Sequence, residues 1–243
     1  MHRFFVRPEW IQGGEARLEG PQAHQVSRVL RAKTGDSLIL LDGSGWEYLV
    51  ELNAVSSEYT SAKVLERRPA SPEPALSITL YQAVLKGKKL DWVLQKGTEI
   101  GISSFVPLVC ERCVAIPSED RTGRRWESII REASEQCGRG RLPRLSPPRP
   151  FGEACREAQL PALLLSETRD LPGIKELLSR MRPGPVGNVS LFVGPEGGFT
   201  PEEASYAQEW RIQPASLGKR ILRGETAGLV AAAILLYEAG DLG

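Results

Sequence analysis

Two glycine-rich stretches hold the residues best suited to chemistry. The first is Leu191-Phe192-Val193-Gly194-Pro195-Glu196-Gly197-Gly198-Phe199. An apolar run enters a turn, and Thr200, Pro201 and Glu203 then supply a cap, a first-turn proline and a capping box for a helix. In α/β sheets, ligands bind beyond the carboxyl ends of strands, and glycines there admit close backbone approach. An ordinary strand-to-helix turn has the same pattern. The stretch is not G-x-G-x-x-G, and no G-x-x-x-x-G-K-[ST] occurs, so dinucleotide and P-loop readings lose their main support. Glu196 would also repel a phosphate.

The second stretch is Leu217-Gly218-Lys219-Arg220-Ile221-Leu222-Arg223-Gly224-Glu225-Thr226-Ala227, between a short strand and an apolar helix. Arg223 could hold an RNA phosphate or a developing anion. Glu225 suits a helix N-terminus, and a solvated turn fits the stretch equally. A third segment, Ser134 to Arg144, leads from a helix end into a basic loop. From Arg112 to Arg149 there are nine arginines, no lysine and five acids, leaving +4. Arginine makes bidentate phosphate contacts and stacks on bases; a solvated charged face has the same composition. Lys86-Gly87-Lys88-Lys89 is a second basic patch with the same two readings. Cys110 and Cys113 form one C-x-x-C. Zinc usually needs a second pair or nearby histidines, and His2 and His24 are remote, so no metal is expected.

The elements that must position these residues fall into two groups. The first ~70 residues read as β-rich by their period-2 pattern, with strands over Arg3–Val6, Ser37–Asp42, Trp46–Asn53 and Thr60–Glu66. Asp42-Gly43-Ser44-Gly45 is a hairpin signal. Pro21 to Arg31 predicts a short helix with Val26, Val29 and Leu30 on one face. Three prolines within residues 69–74 predict a linker. The expected domains are 1–70, a linker at 71–75, and 76–243. In the last, strands over Leu76–Leu85, Phe105–Val109, Ala162–Ser166, Val189–Val193 and Pro214–Leu217 alternate with helices. Those helices cover Lys88–Ile100, Arg124–Cys137, Ile174–Met181, a segment beginning at Thr200, and Gly224–Ala239. This alternation predicts an α/β layer with a mainly parallel sheet. The last helix is apolar nearly all round, which suits a core or a subunit interface.

At 243 residues, 41% hydrophobic and 25% charged, the chain has the composition of a soluble globular protein. A net charge of +1 leaves any RNA affinity to local patches. The longest apolar run, Leu229 to Tyr237, is too short to span a bilayer, and a cytoplasmic protein is the expectation.

Taken in order, these segments resemble the bacterial 16S ribosomal RNA uridine-N3 methyltransferases (ribosomal RNA small subunit methyltransferase E), of the SPOUT class. The resemblance rests on Met1-His2-Arg3-Phe4-Phe5-Val6, His24-Gln25-Val26-Ser27-Arg28-Val29-Leu30-Arg31 and Gln95-Lys96-Gly97-Thr98-Glu99-Ile100-Gly101. Ser134-Glu135-Gln136-Cys137-Gly138-Arg139, Gly194 to Phe199, Leu217-Gly218, Ile221-Leu222-Arg223 and Glu225-Thr226-Ala227 complete it. Lys219, Gly224 and Gly140 depart from the family, which commonly has proline, threonine and asparagine there.

The resemblance implies an N-terminal PUA-like β-barrel for RNA docking and a C-terminal α/β trefoil-knot domain. It implies homodimers, S-adenosyl-L-methionine as cofactor, and a specific uridine of 16S ribosomal RNA in the small ribosomal subunit as substrate. Cofactor contacts fall on Leu165, Ser166 and Glu167, on Gly194, Pro195, Glu196, Gly197 and Gly198, and on Leu217, Gly218, Ile221, Leu222, Arg223, Thr226 and Ala227. Arg223 is the expected electrostatic stabiliser and Glu225 the base or orienter. RNA contacts are expected at Arg3, Arg28, Arg31, Lys88, Lys89, Arg139, Arg141 and Arg144. A non-catalytic RNA-binding factor, a small-nucleotide enzyme and a ribose 2′-O-methyltransferase are the alternatives.

Overall fold

Short alternating strands come first in the chain, and buried strands between helices follow. The computed structural model describes residues 1–114, 119–168, 171–181 and 187–243, in two units: 1–73 with 131–142, and 74–130 with 143–243. Residues 131–142, expected in the later domain, thus belong to the first unit.

In the first unit, β1 (Arg3–Phe5), β2 (Ile11–Gln12), β3 (Glu15–Glu19), β4 (Ser37–Leu41), β5 (Trp46–Val55) and β6 (Tyr59–Pro69) form a curled six-strand sheet, a half-barrel. Its order is β1-β4-β5-β6-β3-β2, and β1 runs parallel to β4. The expected Asp42 hairpin joins β4 to β5, with Asp42 Oδ1 accepting the Ser44 amide at 2.9 Å. The β2–β3 hairpin was not anticipated. Its two-residue turn is Gly13-Gly14, both at positive φ (60° and 82°), which L side chains rarely adopt. β6 runs on to Pro69, two residues before the expected linker.

The helix expected over Pro21–Arg31 is a short α1 (Gly20–His24) followed by a π turn, Gln25–Val29. Leu30 N donates to Gln25 O, five residues back, at 2.9 Å. That wider winding turns Val29 off the apolar face: Val26 is fully buried and Val29 is 65% exposed. β4 is buried on both faces. Leu38 and Leu40 pack with Phe4, Leu18 and Leu52, while Ile39 and Leu41 pack with Phe5, Ala70 and Leu142. Glu135 anchors the second face by accepting the Phe5 amide at 2.8 Å.

In the second unit, β7 (Ser77–Ala83), β8 (Ser104–Val109), β9 (Arg144–Leu145), β10 (Arg149–Pro150), β11 (Ala162–Leu165), β12 (Asn188–Val193) and β13 (Ile212–Ala215) form a parallel sheet. The order is β10-β8-β7-β12-β11-β13, with β9 also beside β8. The helices are α2 (Lys89–Ile100), α3 (Glu119–Cys137), α4 (Phe151–Glu157), α5 (Ile174–Met181), α6 (Pro201–Glu209) and α7 (Gly224–Glu238). The predicted stripe Leu90, Val93, Leu94, Gly97 of α2 is buried. A methyl group on Gly97 would stand 2.8 Å from the Phe105 ring, so only glycine lets α2 lie this close to β8. β7 alternates Ile78 and Leu80 toward one core with Tyr81 and Ala83 toward the other, so both faces are covered.

The last strand lies two residues earlier than expected, at Ile212–Ala215, and carries Pro214 on the sheet edge, where a missing N–H costs no ladder bond. From β12 the chain passes over β11 to this edge, then returns as α7 against β12, β7 and α2. That return brings the two glycine-rich stretches together.

Candidate active site

The three expected cofactor segments line one cavity of about 650 Å³. Leu165, Ser166 and Glu167 follow β11, Gly194 to Gly198 follow β12, and Leu217 to Arg223 follow β13. All three are loops at the carboxyl ends of adjacent parallel strands, where ligand sites of open α/β sheets form. The β12 loop runs into α6 through the expected capping box, with Thr200 Oγ1 accepting from Glu203 N at 3.1 Å and Glu203 Oε2 accepting from Thr200 N at 2.9 Å. The turns touch: a methyl group on Gly224 would stand 3.2 Å from the Gly194 carbonyl oxygen and 3.2 Å from Leu85 Cδ2. Gly224, a departure from the family pattern, sits where the backbones nearly meet. Ala227 lines the cavity, whereas Thr226 lies in a shallower depression with Lys88, Lys89, Trp92 and Glu225.

Glu196 does not face solvent as a lone acid. Its Oε1 accepts from Lys89 Nζ at 2.9 Å and from the Lys86 amide at 3.1 Å. Burial pushes the Glu196 carboxyl up. Hydrogen bonds from Lys89, its own backbone and Lys86, with the Lys89 charge, outweigh that and hold it below the usual carboxylate range. The hydrogen bond to Glu196 likewise raises the Lys89 ammonium, despite some desolvation. Lys89 Nζ also lies 3.9 Å from Glu225 Oε2, an oxygen that is buried without a hydrogen-bond donor among the described residues. Arg223 NH1 is 4.0 Å from Glu225 Oε1. Glu225 is 15% exposed and Arg223 83% exposed, so the guanidinium does not sit in the dry pocket its expected role would favour. Ile221 is also exposed, while Leu222 packs against the core.

Lys89 and Arg112 are among the cavity residues that lie outside the cofactor segments expected from sequence. Lys89, assigned to RNA, lines this cavity in its pair with Glu196. Arg112 donates to Gly197 O at 2.7 Å and packs along Gly197. These partners are 107 and 85 residues apart, and no local motif announces such a pairing.

The expected RNA contacts have varied surroundings. In the first unit, Arg28 and Arg31 are exposed, and Arg141 donates to Ser44 O at 2.9 Å. Arg139 is 11% exposed and paired with Glu73, which makes it part of the packing. Arg3 is 4.0 Å from the largely buried Glu47. In the second unit, Lys88 and Arg144 are exposed. Gly140, the third departure, is packed so tightly that a methyl group would stand 2.4 Å from Ala70 Cβ.

The Cys113 thiol is held down to about 7 by its hydrogen bond with Cys110, while the same bond and burial push Cys110 up. No group of three or more metal-ligating side chains occurs among the described residues, and none of their helices is long and apolar enough to cross a membrane.

Residues 71–236 match the model of an RNA methyltransferase domain. The chain is 36% identical to ribosomal RNA small subunit methyltransferase E of Synechocystis sp., over 96% of this chain and 76% of that one. It superposes on ribosomal RNA small subunit methyltransferase E from Neisseria gonorrhoeae, solved bound to S-adenosyl methionine, with a TM-score of 0.88, 32% identity and 98% of each chain covered. A putative methyltransferase from Legionella pneumophila, solved with the bound cofactor, gives 0.86 and 30% identity over 98% of each chain. With a domain model spanning most of the chain and relatives of one name matching nearly all of it, the chain belongs to the RNA methyltransferase domain family, among the small subunit methyltransferases E.

Proposed function

We propose that this chain transfers a methyl group from S-adenosylmethionine to N3 of a uridine in 16S ribosomal RNA of the small subunit, working as a homodimer. One observation carries the reading: three loops from distant parts of the sequence line a single cavity, and relatives covered end to end at this identity hold S-adenosyl methionine. The cavity suits that cofactor. Its glycine turns bring backbone close to whatever fills it, and Glu167, Glu196 and Glu225 stand on its wall among five cationic side chains. Gly194 to Gly198, Leu165 to Glu167 and Leu217 to Leu222 would hold it.

When bound, the cofactor supplies an electrophilic methyl group. The chain's own residues must prepare the acceptor. N3 of uracil carries a proton, and Glu225, less exposed than Glu196 and without the lysine hydrogen bond that holds Glu196, is the carboxylate placed to take it, directly or through water. Its buried oxygen lacks a donor, which keeps a lone pair free for that proton. Negative charge then spreads over the two ring carbonyls, and Arg223, exposed until RNA covers it, stabilises that charge. N3 is on the Watson–Crick edge, so the uridine must be unpaired or flipped outward. The half-barrel unit is the proposed PUA-like docking element for RNA, and the return of α7 from the sheet edge is the path a knotted fold takes.

Small subunits lacking the modification, incubated with the protein and labelled cofactor, should yield 3-methyluridine at one position on nucleoside mapping. A 2′-O-methylated ribose would replace this reading with ribose methylation. No transfer, with the cofactor bound, would leave an RNA-binding factor.

A further inference from the structure

The depression beside the cofactor cavity has a feature that the methyl-transfer reading leaves unused. Trp92, on the first turn of α2, is 45% exposed and, with Lys88, Lys89, Glu225 and Thr226, forms its wall. Among the described residues no ring or cation stacks on Trp92, whereas exposed Trp210 lies against Tyr206 and Trp46 lies under Arg67. Single exposed aromatics are common on protein surfaces. Trp92 differs by its place: it lines the depression, whose wall continues into the cavity through the shared Lys89 and Glu225.

The chemistry of the wall matches one kind of occupant. An indole offers a flat apolar face, on which an unstacked base is held in RNA recognition. Glu225 places a carboxylate oxygen at the shared border, 3.9 Å from Lys89 Nζ and without a hydrogen-bond donor, an acceptor for a ring N–H. Lys88 and Lys89 supply cations suited to carbonyl oxygens or a flanking phosphate. Uracil presents one N–H between two carbonyls, which is this arrangement in complement. A purine has no such edge, and cytosine, with an unprotonated N3, would meet the Glu225 carboxylate as acceptor against acceptor.

We propose that Trp92 is the platform on which the target pyrimidine stacks, with N3–H turned to Glu225 at the mouth of the cofactor cavity. The inference rests on the uridine-N3 reading above and adds the residue that holds the base. Stacking strength should then govern turnover of RNA and leave the cofactor untouched.

The test compares Trp92→Ala, Trp92→Leu and Trp92→Phe as full-length protein, acting on small subunits that lack the modification. Three quantities are measured: kcat/KM, S-adenosylmethionine affinity, and mass in solution. Alanine and leucine should each lower kcat/KM by about tenfold or more, and phenylalanine by less than about threefold. Cofactor affinity and mass should match the parent protein. A leucine variant as active as the parent overturns the platform, because leucine keeps apolar bulk and loses the aromatic face. A loss that tracks dissociation of the protein into smaller species overturns it too, by making Trp92 a subunit contact. If the parent protein itself makes no 3-methyluridine, it is the functional reading that fails, and that result is separate from any ranking of the variants.

Discussion

Lys89 Nζ and Glu196 Oε1 lie 2.9 Å apart, tying the start of α2 to the glycine turn that follows β12. The pair is about one-third exposed, and pairs of this kind add little to stability. Its value is in shaping the turn. Glu196→Gln should therefore change the melting temperature by no more than a few degrees and weaken S-adenosylmethionine binding by about tenfold, the order of one lost charge-assisted contact. Calorimetric titration decides this, and unchanged affinity would leave the pair as surface decoration. Because the Glu196 carboxyl is held below its usual value of 4.5, its contribution is complete above that pH and is lost as pH falls through the lower folded value. The glutamine variant should lose part of the parent's decline in stability on the acid side.

Glu225 and Arg223 separate by burial. Glu225→Gln should slow methyl transfer by about 100-fold or more if the carboxylate removes the N3 proton. It should change the melting temperature little, because the ion pairs it loses, with Lys89 and Arg223, are long at 3.9 and 4.0 Å and the buried oxygen has no hydrogen-bond donor. Arg223→Ala, at an 83% exposed side chain, should leave both folding and cofactor binding intact and reduce single-turnover methylation. Arginine variants that methylate small subunits at the parent rate would remove Arg223 from the site.

Gly140 offers a packing test away from the chemistry. A methyl group there would meet Ala70 Cβ at 2.4 Å, so Gly140→Ala should destabilise the protein by about 1–3 kcal/mol. Ala70→Gly in the same protein should recover much of that loss, and the double-mutant cycle reads the coupling directly. Additive effects would show that the loop relaxes instead.

Cys113 should be more reactive than the buried Cys110 and Cys155. With its value near 7, alkylation by iodoacetamide should rise through neutral pH and level off, while Cys155, pushed up to about 12 by burial, stays unmodified. Peptide mass spectrometry across pH 6 to 9 measures both sites, and equal labelling would contradict the geometry.

Much of the fold was legible because it depends on neighbours close in sequence. The apolar stripe of α2, the capping box of α6 and the Asp42 hairpin each involve residues a few positions apart, and each appears where its pattern placed it. The Gly13-Gly14 hairpin rests on an equally local signal, two adjacent glycines at positive φ. Val29 failed for a different reason. A 3.6-residue period was assumed over a stretch that winds as a π turn, and a change of period moves every later side chain around the axis.

By itself, the order of residues determined most of the longer strands and helices and the glycine turns that stand ready at strand ends, but not β2, β3, β9, β10 or α4. Only the tertiary structure decided that those turns share a cavity, that Lys89 serves Glu196, that Arg112 closes on Gly197, and that Arg139 is consumed by Glu73. Local backbone preference acts across one or two turns of chain. Pairing across 85 to 107 residues follows from β12 lying beside β7 and α7 returning from the sheet edge, a consequence of how the layers bury their apolar faces.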